Sequence, residues 1–129
     1  MTIEREALAP LVARLQEPRR FLQVVAGPRQ VGKTTLVRQA LARLQQDAQP
    51  MAQHSASADG PGLQGQVWLG TQWQVARTLA AQAGACVLVL DEIQKVSHWT
   101  EEVKRLWDED TAAGRDVRVV ILGSAPLLI

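Results

Sequence analysis

Gly27-Pro28-Arg29-Gln30-Val31-Gly32-Lys33-Thr34 follows an apolar run, Phe21-Leu22-Gln23-Val24-Val25-Ala26, and leads into an amphipathic stretch from Lys33 to Gln46. The octapeptide satisfies the pattern G-x-x-x-x-G-K-[ST] in full, in the strand–loop–helix setting that gives the pattern its meaning. The residue types have a physical reason. A triphosphate needs several donors at close range, and bulky side chains would hold the backbone away from it. Gly27 and Gly32 permit the torsions and the close approach. The loop between them, Pro28, Arg29, Gln30 and Val31, turns backbone amides inward as a nest at the positive end of the following helix. Lys33 can then reach the β- and γ-phosphates, the Thr34 hydroxyl can ligate magnesium, and Thr35 supplies a secondary phosphate contact.

A second stretch completes the pattern. Val87-Leu88-Val89-Leu90-Asp91-Glu92 is an apolar strand closed by two carboxylates, the Walker B arrangement to the Walker A loop upstream. Ligands of open α/β sheets bind outside the carboxyl ends of the strands, where both motifs end. Asp91 is placed to hold the metal, directly or through a water. Glu92 is placed to activate a water against the γ-phosphate, which favours hydrolysis over transfer to a small-molecule hydroxyl. A third strand, Val117 to Leu122, ends in Gly123-Ser124, and Ser124 is positioned to touch the γ-phosphate or the attacking water.

Outward from these motifs, strands alternate with helices. Leu8, Leu11, Val12 and Leu15 recur at helical spacing, with Pro10 marking a kink or a fresh start. Leu36, Val37, Ala40, Leu41 and Leu44 form one face of the helix after the loop. Asp47 to about Gln66 is rich in Gln, Ser, Ala, Gly and Pro and reads as a mobile loop. Val67-Trp68-Leu69 reads as a short strand, followed by a helix from Thr71 to Gln82 that Gly84 ends through a left-handed cap. Trp99 to Asp108 reads as a helix with Val103, Leu106 and Trp107 inward, and Gly114 breaks the chain after it. The resulting fold class is α/β: a three-layer P-loop NTPase core on a mainly parallel sheet of about four strands, in one domain spanning residues 1–129.

The rest of the chain excludes several classes. It has 129 residues, enough to bury one core, with 47% apolar and 21% charged residues and a net charge of +1. No basic stripe supports a nucleic-acid partner. Cys86 is the sole cysteine, which rules out an intrachain disulfide and a cysteine metal site, and its apolar run marks it as a buried structural thiol. His54 stands alone in its segment, whereas metal sites need several ligands. The four tryptophans read as packing residues. The apolar runs are too short for a membrane span and the start lacks a secretory pattern, so a cytoplasmic setting is the default expectation.

The chain resembles the bacterial and archaeal AAA-type ATPases of the AAA_14 family, which typically precede a DUF4143 C-terminal domain. The resemblance rests on Gly-Pro-Arg-Gln-Val-Gly-Lys-Thr-Thr-Leu (27–36), Leu-Asp-Glu-Ile-Gln-Lys-Val (90–96), Trp99 and Ile-Leu-Gly-Ser-Ala-Pro-Leu-Leu (121–128). It implies ATP as the nucleotide, the Walker roles for Lys33, Thr34, Asp91 and Glu92, and the sensor position for Ser124. The family's last motif usually reads Thr-Gly-Ser-Ser, and Leu122 and Ala125 depart from it here. A complete family domain continues with another strand and an arginine given to a neighbouring subunit, so the resemblance also implies truncation at Ile129. Without that strand, Phe21–Ala26 would form an exposed sheet edge, which predicts a second copy or a protein partner covering it. Weak hydrolysis in isolation is expected, because losing an arginine finger costs about 10³–10⁵ in rate. The competing reading is an interaction fragment with a vestigial nucleotide site.

Overall fold

A computed structural model describes residues 10–17, 19, 22–27, 33–46, 51–58 and 65–124. Its elements run in the order α1 (10–16), β1 (Gln23–Gly27), α2 (Lys33–Leu44), β2 (Ala52–Ser57), α3 (Gln66–Ala83), β3 (Cys86–Asp91), a 3-10 turn (Ile93–Lys95), α4 (Trp99–Ala113) and β4 (Val117–Ser124). The four strands form one all-parallel sheet in the order β1-β4-β3-β2. β3 lies in its interior and is buried on both faces from Cys86 to Leu90, as its unbroken apolar run requires.

Two cores follow from the period of the strands. Val87, Val89, Val120 and Leu122 face α1 and α2, packing on Leu11, Leu15, Val37, Ala40 and Leu44. Cys86, Leu88, Leu90, Val119 and Ile121 face α3 and α4, packing on Leu69, Trp73, Val103 and Leu106. The three-layer α/β architecture expected from the sequence is therefore present. The tryptophans are packing residues, with Trp73 fully buried and Trp68, Trp99 and Trp107 against the same core. Burial pushes the Cys86 thiol up to about 11, so it stays protonated and inert near neutrality.

Two expectations are corrected. Ala52–Ser57 lies inside the segment read as a loop, yet it forms β2, paired with β3 along its whole length. Its sequence, Ala-Gln-His-Ser-Ala-Ser, lacks the β-branched and aromatic residues that mark strands. Backbone pairing and side-chain ties supply what propensity does not: Gln53 Nε2 donates to Leu41 O at 2.8 Å, and His54 Nε2 meets Gln72 Oε1 at 2.8 Å. Residues 47–50 and 59–64 of that segment lie outside the described residues. Val67-Trp68-Leu69, read as a strand, is the first turn of α3. The buried positions Leu69, Trp73, Ala76 and Ala80 recur at helical spacing, and three adjacent apolar residues cannot reveal which period governs them.

Both long helices end at a glycine with positive φ. Gly84 closes α3 at φ 95°, its amide donating to Ala80 O at 2.7 Å, and Gly114 closes α4 at φ 71°. α4 runs to Ala113, five residues beyond the expected Asp108. Asp110, in its last turn, is fully buried and binds α3 to α4. It accepts from Trp73 Nε1 at 2.7 Å, Arg77 Nε at 2.7 Å and Arg115 Nη1 at 3.1 Å. Arg19 stacks on the Trp107 ring at 3.6 Å and donates to Val117 O and Trp107 O, pinning the chain ahead of β1 beneath α4.

β1 is one edge of the described sheet, and its α4-side face is partly bare. Val24 is 41% exposed beside a hollow of about 340 Å³ walled by Leu22, Trp99, Val103, Trp107 and Ile121.

Candidate functional site

Because every strand is parallel, their carboxyl ends share one rim of the sheet. Gly27, the last residue of β1, stands opposite Ser124, the last of β4. Asp91 ends β3 opposite Ser57, the last of β2. α2 begins at Lys33, so the amides of Lys33, Thr34 and Thr35 belong to its first turn and have no partner within the helix. That turn carries no acidic residue, while Arg43 sits in the last turn. The start of this helix thus offers amides without intrahelical partners and the positive end of its dipole, a combination that suits an anion.

A cavity of about 200 Å³ joins these elements, bounded by Val37 and Arg38 of α2, Ser57 of β2, Asp91 of β3 and Leu122 of β4. Asp91 is partly exposed into it, beside the second turn of α2. Glu92 is only 5% exposed and takes φ 55°, the left-handed region that a side chain with a β-carbon seldom adopts. Such strain persists only where surrounding structure enforces it, and it concentrates at functional sites. Here the enforcement is visible. Lys95 N donates to Glu92 O at 3.1 Å and Val96 N to Ile93 O at 3.0 Å, while Ile93 and Val96 are buried in the core. The turn also brings Gln94 Nε2 to Glu92 Oε2 at 2.7 Å.

The sequence-derived residues are distributed as follows. Gly27, Lys33, Thr34, Asp91, Glu92 and Ser124 lie at or just beyond the carboxyl ends of the strands or at the start of α2, and Thr35 is exposed on the first turn of α2. Pro28, Arg29, Gln30, Val31 and Gly32 lie outside the described residues, as do the side chains of Lys33, Thr34 and Ser124. Sequence reasoning gave no role to Gln94 or Ser57. Gln94 stood within the quoted Ile-Gln-Lys-Val stretch without any chemistry attached, and Ser57 lay in the segment read as loop.

The donor set suits a hard cation. A carboxylate at Asp91 and a hydroxyl at Thr34 are oxygen ligands of the kind magnesium takes, usually one or two from protein, with phosphate and water completing the shell. Among the described residues no three His, Cys, Asp or Glu side chains gather into a metal cluster of their own. A cation at this rim would take most of its ligands from nucleotide and solvent.

The family model for AAA_14, an AAA domain, matches residues 19–129. The chain belongs to this family. Membership makes it a nucleotide-binding module of AAA type. Its match takes in β1, α2, the β3 carboxylates and β4, the elements that meet at the rim. A search among curated proteins gave no match. Among the described residues no helix is long and apolar enough to cross a membrane.

Proposed function

We propose that this AAA-type module binds ATP with magnesium at the strand rim and hydrolyses it to ADP and phosphate, weakly alone or within an assembly. One observation carries the reading: the parallel register sets Gly27 against Ser124 and ends β3 at Asp91, on the rim where α2 presents its first-turn amides. In this reading the loop from Gly27 to Gly32, with Pro28, Arg29, Gln30 and Val31, cradles the phosphates. Lys33 adds a point charge to the β- and γ-phosphates, and Thr35 a further contact. Thr34 and Asp91 hold magnesium, which when bound neutralises phosphate charge. Glu92 accepts a proton from the attacking water, and Ser124 lies within reach of the γ-phosphate. The left-handed backbone at Glu92 supports the assignment, since it fixes a buried carboxylate one residue beyond the metal ligand.

The test is nucleotide affinity in Lys33→Ala, followed by competition with a fluorescent ATP analogue. An affinity loss of about a hundredfold or more is expected, from removal of the charge aimed at the phosphates. Unchanged affinity would sink the site. A protein partner or second copy along β1 is the accompanying proposal, supported by the bare face at Val24. A clean monomer by light scattering at high concentration, in the presence of nucleotide, would count against a second copy there.

A further inference from the structure

Gln94 Oε1 is buried without a hydrogen-bond partner, and it is the one side-chain atom of that kind among the described residues. A buried acceptor left unpaired is unfavourable, so a native structure that keeps one needs a reason. Rotating the amide would not cure it. Gln94 Nε2 donates to Glu92 Oε2 at 2.7 Å, and the reversed amide would set its oxygen against a carboxylate oxygen. Glu92 therefore dictates which way the carboxamide faces, and the orphaned oxygen is the consequence. The 3-10 turn leaves little room for a different solution, because Ile93 and Val96 anchor it in the core on either side of Gln94.

We propose that Gln94 is a positioning residue for hydrolysis, holding the Glu92 carboxylate in the rotamer that meets the attacking water, a role that rests on the hydrolytic reading above. The 2.7 Å hydrogen bond from Nε2 fixes Glu92 Oε2, and the unpaired Oε1 is the cost of facing the amide that way. One hydrogen of the water points to Glu92, which leaves an oxygen lone pair for the γ-phosphorus. In the step, the water oxygen bonds to the γ-phosphorus and the bond to the β–γ bridging oxygen breaks, its electron pair leaving with ADP. Glu92 takes the proton. Gln94 is neutral and takes none; it fixes the rotamer of Glu92.

The experiment compares the parent with Gln94→Leu, which keeps bulk without polarity, and Gln94→Asn, which keeps the amide but shortens its reach. Three quantities are measured: kcat and KM for ATP, affinity for a non-hydrolysable ATP analogue with magnesium, and affinity for ADP with magnesium and aluminium fluoride. For Gln94→Leu, kcat should fall about 10- to 100-fold, the scale of a misplaced reacting group. Analogue affinity should stay within about twofold, while aluminium fluoride trapping weakens in step with kcat. Gln94→Asn should share the defect. In the Glu92→Gln background, Gln94→Leu should add less than about twofold, since the two residues act as a unit. Full kcat and full trapping in Gln94→Leu would overturn the proposal, as would equal losses of analogue affinity and kcat, the mark of a structural role. Should Gln94→Leu fail to fold, Gln94→Met serves with the same readouts. A parent that binds nucleotide but neither turns over nor traps aluminium fluoride would defeat the hydrolytic reading and Gln94 with it. An active parent with an indifferent Gln94 would defeat only this inference.

Discussion

Glu92 and Asp110 are the two buried charged residues among those described, and they are buried in different ways. Asp110 sits in the last turn of α4 with ordinary backbone, its carboxylate taken up by Trp73 and Arg77 of α3 and by Arg115 just past α4. Glu92 sits just past a strand end with left-handed backbone, and Gln94 Nε2 donates to its carboxylate. The Gln94 amide orients the Glu92 carboxylate at a strained turn just past β3. Burial of a charge alone does not distinguish structure from function; the strain at its backbone and its place at the strand rim do.

The comparison can be broken most sharply at Asp110. Asp110→Ala leaves Arg77 and the Trp73 indole facing an empty buried site, and should cost about 3–5 kcal/mol of stability. That corresponds to a fall of roughly 10–20 °C in melting temperature. Nucleotide affinity of the folded fraction should be unchanged. Glu92→Gln should do the reverse, lowering kcat about 10²–10⁴-fold with melting temperature and nucleotide affinity near the parent's. If Glu92→Gln hydrolyses ATP as fast as the parent, the base lies elsewhere. The smallest effect sharpens the point about strain. Glu92→Gly relieves a left-handed residue worth about 1–2 kcal/mol, returns about half of that as unfolded-state entropy, and deprives Gln94 Nε2 of its acceptor. Chemical denaturation should show a net change within about 1 kcal/mol together with lost turnover. A loss above about 3 kcal/mol would mean that Glu92 is held there for packing.

How legible these regions are in sequence differs for physical reasons. β1, β3 and β4 are readable because they are mostly apolar runs closed by a glycine, by two carboxylates and by Gly-Ser. β2 is not, because Gln53, His54, Ser55 and Ser57 carry no strand preference and the pairing with β3 that makes it a strand is non-local. The start of α3 is misread because Val67-Trp68-Leu69 is too short to show a period. The Asp110 network is invisible because Trp73 and Arg77 lie 37 and 33 residues from it in sequence and meet it only once α3 packs on α4. Of the site, Gly27, Lys33, Asp91, Glu92 and Ser124 fall at the rim as expected. Gln94 was missed because its meaning depends on the backbone turn at Glu92, which no residue pattern announces.

The most direct test of a nucleotide site at the strand rim is calorimetric titration of the chain with a non-hydrolysable ATP analogue, with and without magnesium. Saturable binding at one site per chain, stronger with magnesium and weakened in Asp91→Asn only when magnesium is present, is the expected result. No binding, or binding indifferent to both magnesium and Asp91, would contradict it.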